Sequence, residues 1–119
     1  MKKILIAEDN ADLAESLKLA LETAGYRVEV AKNGVDAIAT QVSFAADILI
    51  TDIMMPEQDG FETLNAFRKE FPGTRLVVIS GAQRFDPQKY LRAAKLAGAD
   101  ATFRKPFAIE ALLEKLREF

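Results

Sequence analysis

Ile48-Leu49-Ile50-Thr51-Asp52-Ile53-Met54-Met55-Pro56 is the stretch on which the reading of this chain turns. An apolar run ends on an acid, and a Met-Met-Pro loop follows. A short continuous apolar run bounded by turn residues reads as a buried strand. The same pattern recurs along the chain. Ile4-Leu5-Ile6-Ala7 stops at Glu8-Asp9, and Leu76-Val77-Val78-Ile79 stops at Ser80-Gly81. Ala101-Thr102-Phe103-Arg104 leads into Lys105-Pro106. In a parallel α/β sheet the carboxyl ends of the strands share one edge, and ligands bind there. Chain order therefore predicts a single cleft holding Glu8, Asp9, Asp52, Ser80 and Lys105. Three carboxylates, a hydroxyl and an ammonium suit a divalent cation together with a phosphoryl group.

Between these runs the apolar residues recur at helical spacing. Leu13, Leu17 and Leu21 form one stripe, Val35, Ile38 and Val42 a second, and Phe61, Leu64, Phe67 and Phe71 a third. Ile109, Leu112, Leu113 and Leu116 complete the last helix, whereas the stripe around Leu91, Ala94 and Ala97 is weak. Gly25 and Gly98 stand where helix-terminating glycines belong. Asp59 with Glu62 has the spacing of a capping box, and Asp86-Pro87 supplies an N-cap followed by proline. The spacing predicts strands β1 3–7, β2 27–31, β3 47–51, β4 75–80 and β5 101–104. The intervening helices are α1 11–24, α2 34–42, α3 60–71, α4 87–97 and α5 107–118. Five alternating pairs imply a doubly wound parallel sheet covered on both faces. The runs at β1, β3 and β4 are continuously apolar, as central strands are. Arg27-Val28-Glu29-Val30 alternates, which predicts an edge position for β2.

A chain of 119 residues is one ordinary domain, read here as spanning 1–119. It has no cysteine, which excludes disulfides and thiolate metal sites. It has no histidine, which excludes histidine bases, histidine ligands and a phosphohistidine on this chain. Sixteen basic and eighteen acidic residues leave a formal net charge of −2, which argues against nucleic-acid binding driven by overall charge. Met1-Lys2-Lys3 starts like a signal peptide, but the apolar run behind it reaches Glu8 too soon for one. No run is long enough to span a bilayer. The expectation is a soluble cytoplasmic protein without membrane or nucleic-acid partners.

Taken together, Glu8-Asp9, Asp52-Ile53-Met54-Met55-Pro56 with Asp59-Gly60, Ser80-Gly81 and Lys105-Pro106-Phe107 resemble a response-regulator receiver domain of two-component signalling. The resemblance covers the full length, and the joint pattern at successive strand ends is highly specific. It implies a flavodoxin-like sheet of order 2-1-3-4-5, phosphorylation of Asp52, and Mg²⁺ as cofactor. It further implies direct metal ligation by Asp9, Asp52 and the main-chain carbonyl of Met54, with Glu8 acting through water. Ser80 would hydrogen-bond a phosphoryl oxygen, and Lys105 would pair with Asp52 and then with phosphate. Met54 and Ala82 would flank the phosphoryl group, and the bond to Pro106 is cis in the family. The implied partners are a sensor histidine kinase or a histidine phosphotransfer protein and an unidentified downstream protein. That downstream protein would read the α4–β5–α5 surface of a stand-alone domain.

One position departs from the pattern. Receiver domains usually carry Tyr or Phe three residues before the lysine, and this chain has Thr102. Phe103 is one residue off and belongs to the other sheet face. Phe85 and Tyr90 are candidate substitutes for the missing ring. The departure keeps open a switch-deficient receiver-like scaffold, for which failure to phosphorylate would speak. A Mg²⁺-dependent phosphatase with an aspartate nucleophile is a second alternative. It is disfavoured because Asp52-Ile53-Met54 has no second acid two residues on. A flavin-binding module is a third, disfavoured by the acidic Glu8-Asp9-Asn10-Ala11-Asp12 loop, which would repel a phosphate.

Overall fold

The computed structural model describes residues 1–52, 60–81 and 87–119, excluding the side chains of 60, 87, 88, 90 and 91. Met54, Met55, Pro56, Asp59, Ala82, Phe85, Asp86 and the Tyr90 ring therefore lie outside the described residues. The strands are β1 Lys3–Ala7, β2 Arg27–Ala31, β3 Ile48–Asp52, β4 Arg75–Ser80 and β5 Ala101–Arg104. The helices are α1 Ala11–Thr23, α2 Gly34–Phe44, α3 Gly60–Glu70, α4 Pro87–Leu96 and α5 Ile109–Leu116. Every expected element is present. The largest end differences are in α5, two residues shorter at each end than the expected 107–118, and in α2, which runs two residues past 42; β3 runs one residue later and takes in Asp52.

All strand pairs are parallel, and the order is β2-β1-β3-β4-β5. β1 and β3 lie inside the sheet and are buried almost throughout, which accounts for their unbroken apolar runs. β2 is an edge strand, with Arg27, Glu29 and Val30 exposed. Two apolar layers cover the sheet. Leu5, Leu49, Val78, Leu64, Phe67 and Ala94 fill the layer under α2, α3 and α4. Ile6, Ile50, Ile79, Leu17, Leu21, Leu112 and Leu116 fill the layer under α1 and α5. Phe103 joins the second layer, its ring 5.8 Å from that of Phe107. Thr102 pairs with Val78 on the opposite face, as the period-2 alternation requires.

The α2 stripe differs from expectation. Val35 and Val42 are 50% and 74% exposed, and the helix instead buries Ala37, Gln41 and Phe44. A buried glutamine is tolerated because its amide is satisfied. Gln41 Nε2 donates to the Ala46 carbonyl and to Thr74 Oγ1, both at 3.1 Å, and Gln41 Oε1 accepts the Ala46 N–H at 3.0 Å. Gly25 and Gly98 follow α1 and α4 with φ of 102° and 111°, the left-handed conformation that ends a helix.

Candidate phosphoryl and metal site

Strand register brings the site together. Ala7 lies beside Thr51, Asp52 beside Ile79, and Ser80 beside Arg104. The residues at or just past these ends are Glu8, Asp9, Asp52, Ser80 and Lys105, so four strands deliver one cluster. Glu8, Asp9 and Asp52 each offer a carboxylate oxygen, and these oxygens lie within 4.8 Å of one another. Glu8 and Asp52 are buried, and Asp9 is exposed. Three acids so close repel unless a cation stands among them.

In this structure the cation is Lys105. Its Nζ donates to Asp52 Oδ2 at 2.6 Å and to Glu8 Oε1 at 3.1 Å. The other Glu8 oxygen accepts the Asn10 N–H at 3.1 Å, and Asn10 Oδ1 accepts the Leu13 N–H to cap α1. Asn10 thus ties the orientation of Glu8 to the start of a helix. That role was missed at the sequence level, although an Asn just before a helical stretch is an N-cap signal. Burial raises the Glu8 pKa to about 7, with the Asp52 charge and an Asp9 hydrogen bond adding to the rise. The Asn10 N–H and the Lys105 charge oppose it. Burial works against the charge on Lys105, but hydrogen bonds and charge from Asp52 and Glu8 outweigh it and raise its pKa.

The β4 end completes the cluster. Ser80 is fully buried, and its hydroxyl has no hydrogen-bond partner among the described residues. A buried hydroxyl in that condition is costly unless a ligand oxygen can reach it. The Lys105 N–H donates to the Ser80 carbonyl at 2.8 Å, which closes the β4 and β5 ends against each other. The Lys105–Pro106 bond is cis, as the resemblance implied. The Met54 carbonyl, the remaining expected metal ligand, lies outside the described residues.

A flavodoxin-like parallel sheet with a lysine-bridged acid cluster at its carboxyl edge defines a receiver-type signalling domain. The family model for the response regulator receiver domain matches residues 4–117, and the chain belongs to that family. The chain is 36% identical over 116 residues to the response regulator MprA of Mycobacterium tuberculosis, covering 97% of this chain and 49% of that protein. The MprA of Mycobacterium ulcerans matches equally, at 36% identity over 97% of this chain and 48% of the relative. The chain therefore spans about half the length of these curated relatives. Among solved structures, the Vibrio cholerae chemotaxis protein CheY4 superposes with a TM-score of 0.87 at 31% identity, covering 99% of this chain and 98% of that one. A CheY-like receiver domain protein from Methanospirillum hungatei gives 0.90 at 31% identity over 99% and 92%. No helix among the described residues is long and apolar enough to cross a membrane.

Proposed function

We propose that this receiver domain accepts a phosphoryl group on Asp52, with Mg²⁺, from the phosphohistidine of a sensor kinase or phosphotransfer protein. The observation that carries the proposal is Lys105 Nζ held between Asp52 and Glu8 in a cluster of hard oxygen donors. The three carboxylates fit a divalent cation, which would be held by Asp9 and Asp52, with Glu8 acting through water and the Met54 carbonyl as the remaining ligand. Such an ion neutralises charge on the phosphoryl oxygens when bound. An Asp52 carboxylate oxygen attacks phosphorus as the donor's P–N bond breaks, and the bonding pair leaves with the imidazole. Lys105 follows the new negative charge from carboxylate to phosphoryl oxygen as a compact point charge. The Ser80 hydroxyl, which has no partner among the described residues, gains a phosphoryl oxygen as acceptor in the phosphorylated state. That difference in contacts between the two states is the source of a signal. It would be read by a downstream protein at the surface formed by α4, β5 and α5. Catalysis here is positioning and charge neutralisation.

The test is incubation with a small phosphodonor and Mg²⁺ followed by intact mass. One added phosphoryl group that is lost on treatment with hydroxylamine supports the reading. An unchanged mass under conditions that modify a known receiver domain would overturn it and favour the switch-deficient scaffold that Thr102 keeps open.

A further inference from the structure

β2 pairs with β1 on one side, and no strand among the described residues lies on its other side. The Arg27 N–H donates to the Lys2 carbonyl at 3.1 Å, and the Ala31 carbonyl accepts the Glu8 N–H at 3.0 Å. The backbone groups of Arg27, Glu29 and Ala31 therefore face β1. Successive residues of a strand alternate in hydrogen-bonding direction, so the N–H and C=O groups of Val28 and Val30 face outward. Such an edge is a template for a further strand. Arg27 and Glu29 are both exposed, with opposite charges, on the sheet face that carries α2. The Arg27 guanidinium lies 5.6 Å from the centre of the Phe44 ring, and Glu29 forms no salt bridge among the described residues.

Charged residues usually discourage pairing at an edge, but the order of these two makes the edge complementary to itself. In an antiparallel pairing centred on Val28, Arg27 stands opposite the partner's Glu29, and Glu29 opposite the partner's Arg27. These are non-hydrogen-bonded pairs, the closer kind, with Cα atoms about 4.5 Å apart. Val28 and the partner's Val28 exchange both backbone bonds, and the Val30 N–H meets the partner's Tyr26 carbonyl. The Tyr26 N–H is not needed there, being already given to the Leu21 carbonyl at 3.1 Å. The neighbouring registers, centred on Glu29 or on Arg27, set like charges opposite each other, which is destabilising.

We propose that the β2 edge is a self-association surface, on which a second copy of this chain pairs antiparallel through Val28 with its register set by the Arg27–Glu29 charge pairs. A two-fold axis closes the assembly at two copies. A five-residue strand gives a contact smaller than a stable interface needs, so the association is weak and transient. β2 and β5 are opposite edges of the sheet, so the surface of α4, β5 and α5 stays free. The antiparallel arrangement points the two carboxyl edges in opposite directions and leaves both acid clusters open. None of these contacts depends on phosphoryl transfer.

Sedimentation equilibrium of the full chain at rising concentration and low salt tests the pairing, with amide NMR on the same samples. Wild type is expected to shift from monomer toward dimer, with the Val28 and Val30 amides moving most. Added salt weakens the association by screening the charge pairs. Arg27→Glu and Glu29→Arg each set like charges opposite at both pairs, so each alone is expected to associate about tenfold more weakly. An equimolar mixture of the two variants restores opposite signs at both pairs and is expected to recover wild-type association. A wild type that stays monomeric at millimolar concentration overturns the proposal. So does association that the single variants leave unchanged, or a mixture no stronger than its components. If either variant fails to fold, the wild-type spectra decide: association that moves α1, α4 or α5 while the Val28 and Val30 amides stay still overturns the proposal.

Discussion

Lys105 Nζ donates to Asp52 Oδ2 at 2.6 Å, although the two residues are 53 positions apart in the chain. The same ammonium reaches Glu8 at 3.1 Å, so one lysine bridges both buried acids of the cluster. The lysine side chain is itself only 24% exposed, which makes this pair more than a solvated surface contact.

Removing the lysine leaves Glu8 and Asp52 facing each other in a buried space. Lys105→Ala is expected to destabilise the metal-free protein by about 1–2 kcal/mol, less than for a fully buried pair because Glu8 can take up a proton. The same variant loses a competing cation, so divalent metal binds it more tightly than it binds wild type. Urea unfolding with chelator and a metal titration by NMR check the two halves. Weaker metal binding by the variant would contradict the placement of Lys105 among the acids.

Asp52→Asn is expected to abolish phosphorylation by a small donor while the fold persists. It also removes a negative charge that raises the Glu8 pKa, so that pKa falls toward its ordinary value. Intact mass and a carboxyl NMR titration measure these outcomes. Labelling at the wild-type level would remove Asp52 as the acceptor.

The stability of the metal-free protein carries the signature of Glu8. Its pKa rises from 4.5 unfolded to about 7 folded, so between those values the folded state binds the proton more tightly. Its contribution is therefore fully present below about pH 4.5 and is lost as pH rises through about 7. With chelator present, the part of the urea midpoint due to this group falls from pH 5 to pH 8. Replacing Glu8 by Gln removes that part of the slope. A slope unchanged in Glu8→Gln would show that another group carries it.

Gly25 and Gly98 both end helices at positive φ, but their surroundings differ. A Cβ at Gly25 meets nothing within 4 Å, whereas one at Gly98 runs into the Arg68 side chain. Arg68 Nη1 donates to the Ala97 carbonyl at 2.6 Å and so pins the end of α4 to α3. Gly25→Ala is expected to cost about 1–2 kcal/mol for the left-handed backbone alone. Gly98→Ala adds the collision with Arg68 and lowers the melting temperature further. Equal losses would show that Arg68 moves aside freely.

The sequence alone determined the five βα units, the central strands and the residues at their carboxyl ends. Unbroken apolar runs such as Ile48–Ile50 can be stable only where both sheet faces are covered, and that requirement is local enough to read. The face of α2 was not legible in this way. Val35 and Val42 have the hydrophobicity of core residues, yet the helix turns Gln41 inward because Ala46 and Thr74 satisfy its amide. Partners that lie several to tens of residues away leave no mark on local periodicity. The same reason separates the list of site residues from their arrangement. That Glu8, Asp9, Asp52, Ser80 and Lys105 share an edge follows from strand order. That Lys105 bridges Asp52 and Glu8 was decided only by the tertiary structure. Hydrogen bonds and close contacts depend on distances of a few tenths of an ångström, and register between non-neighbouring strands sets those distances.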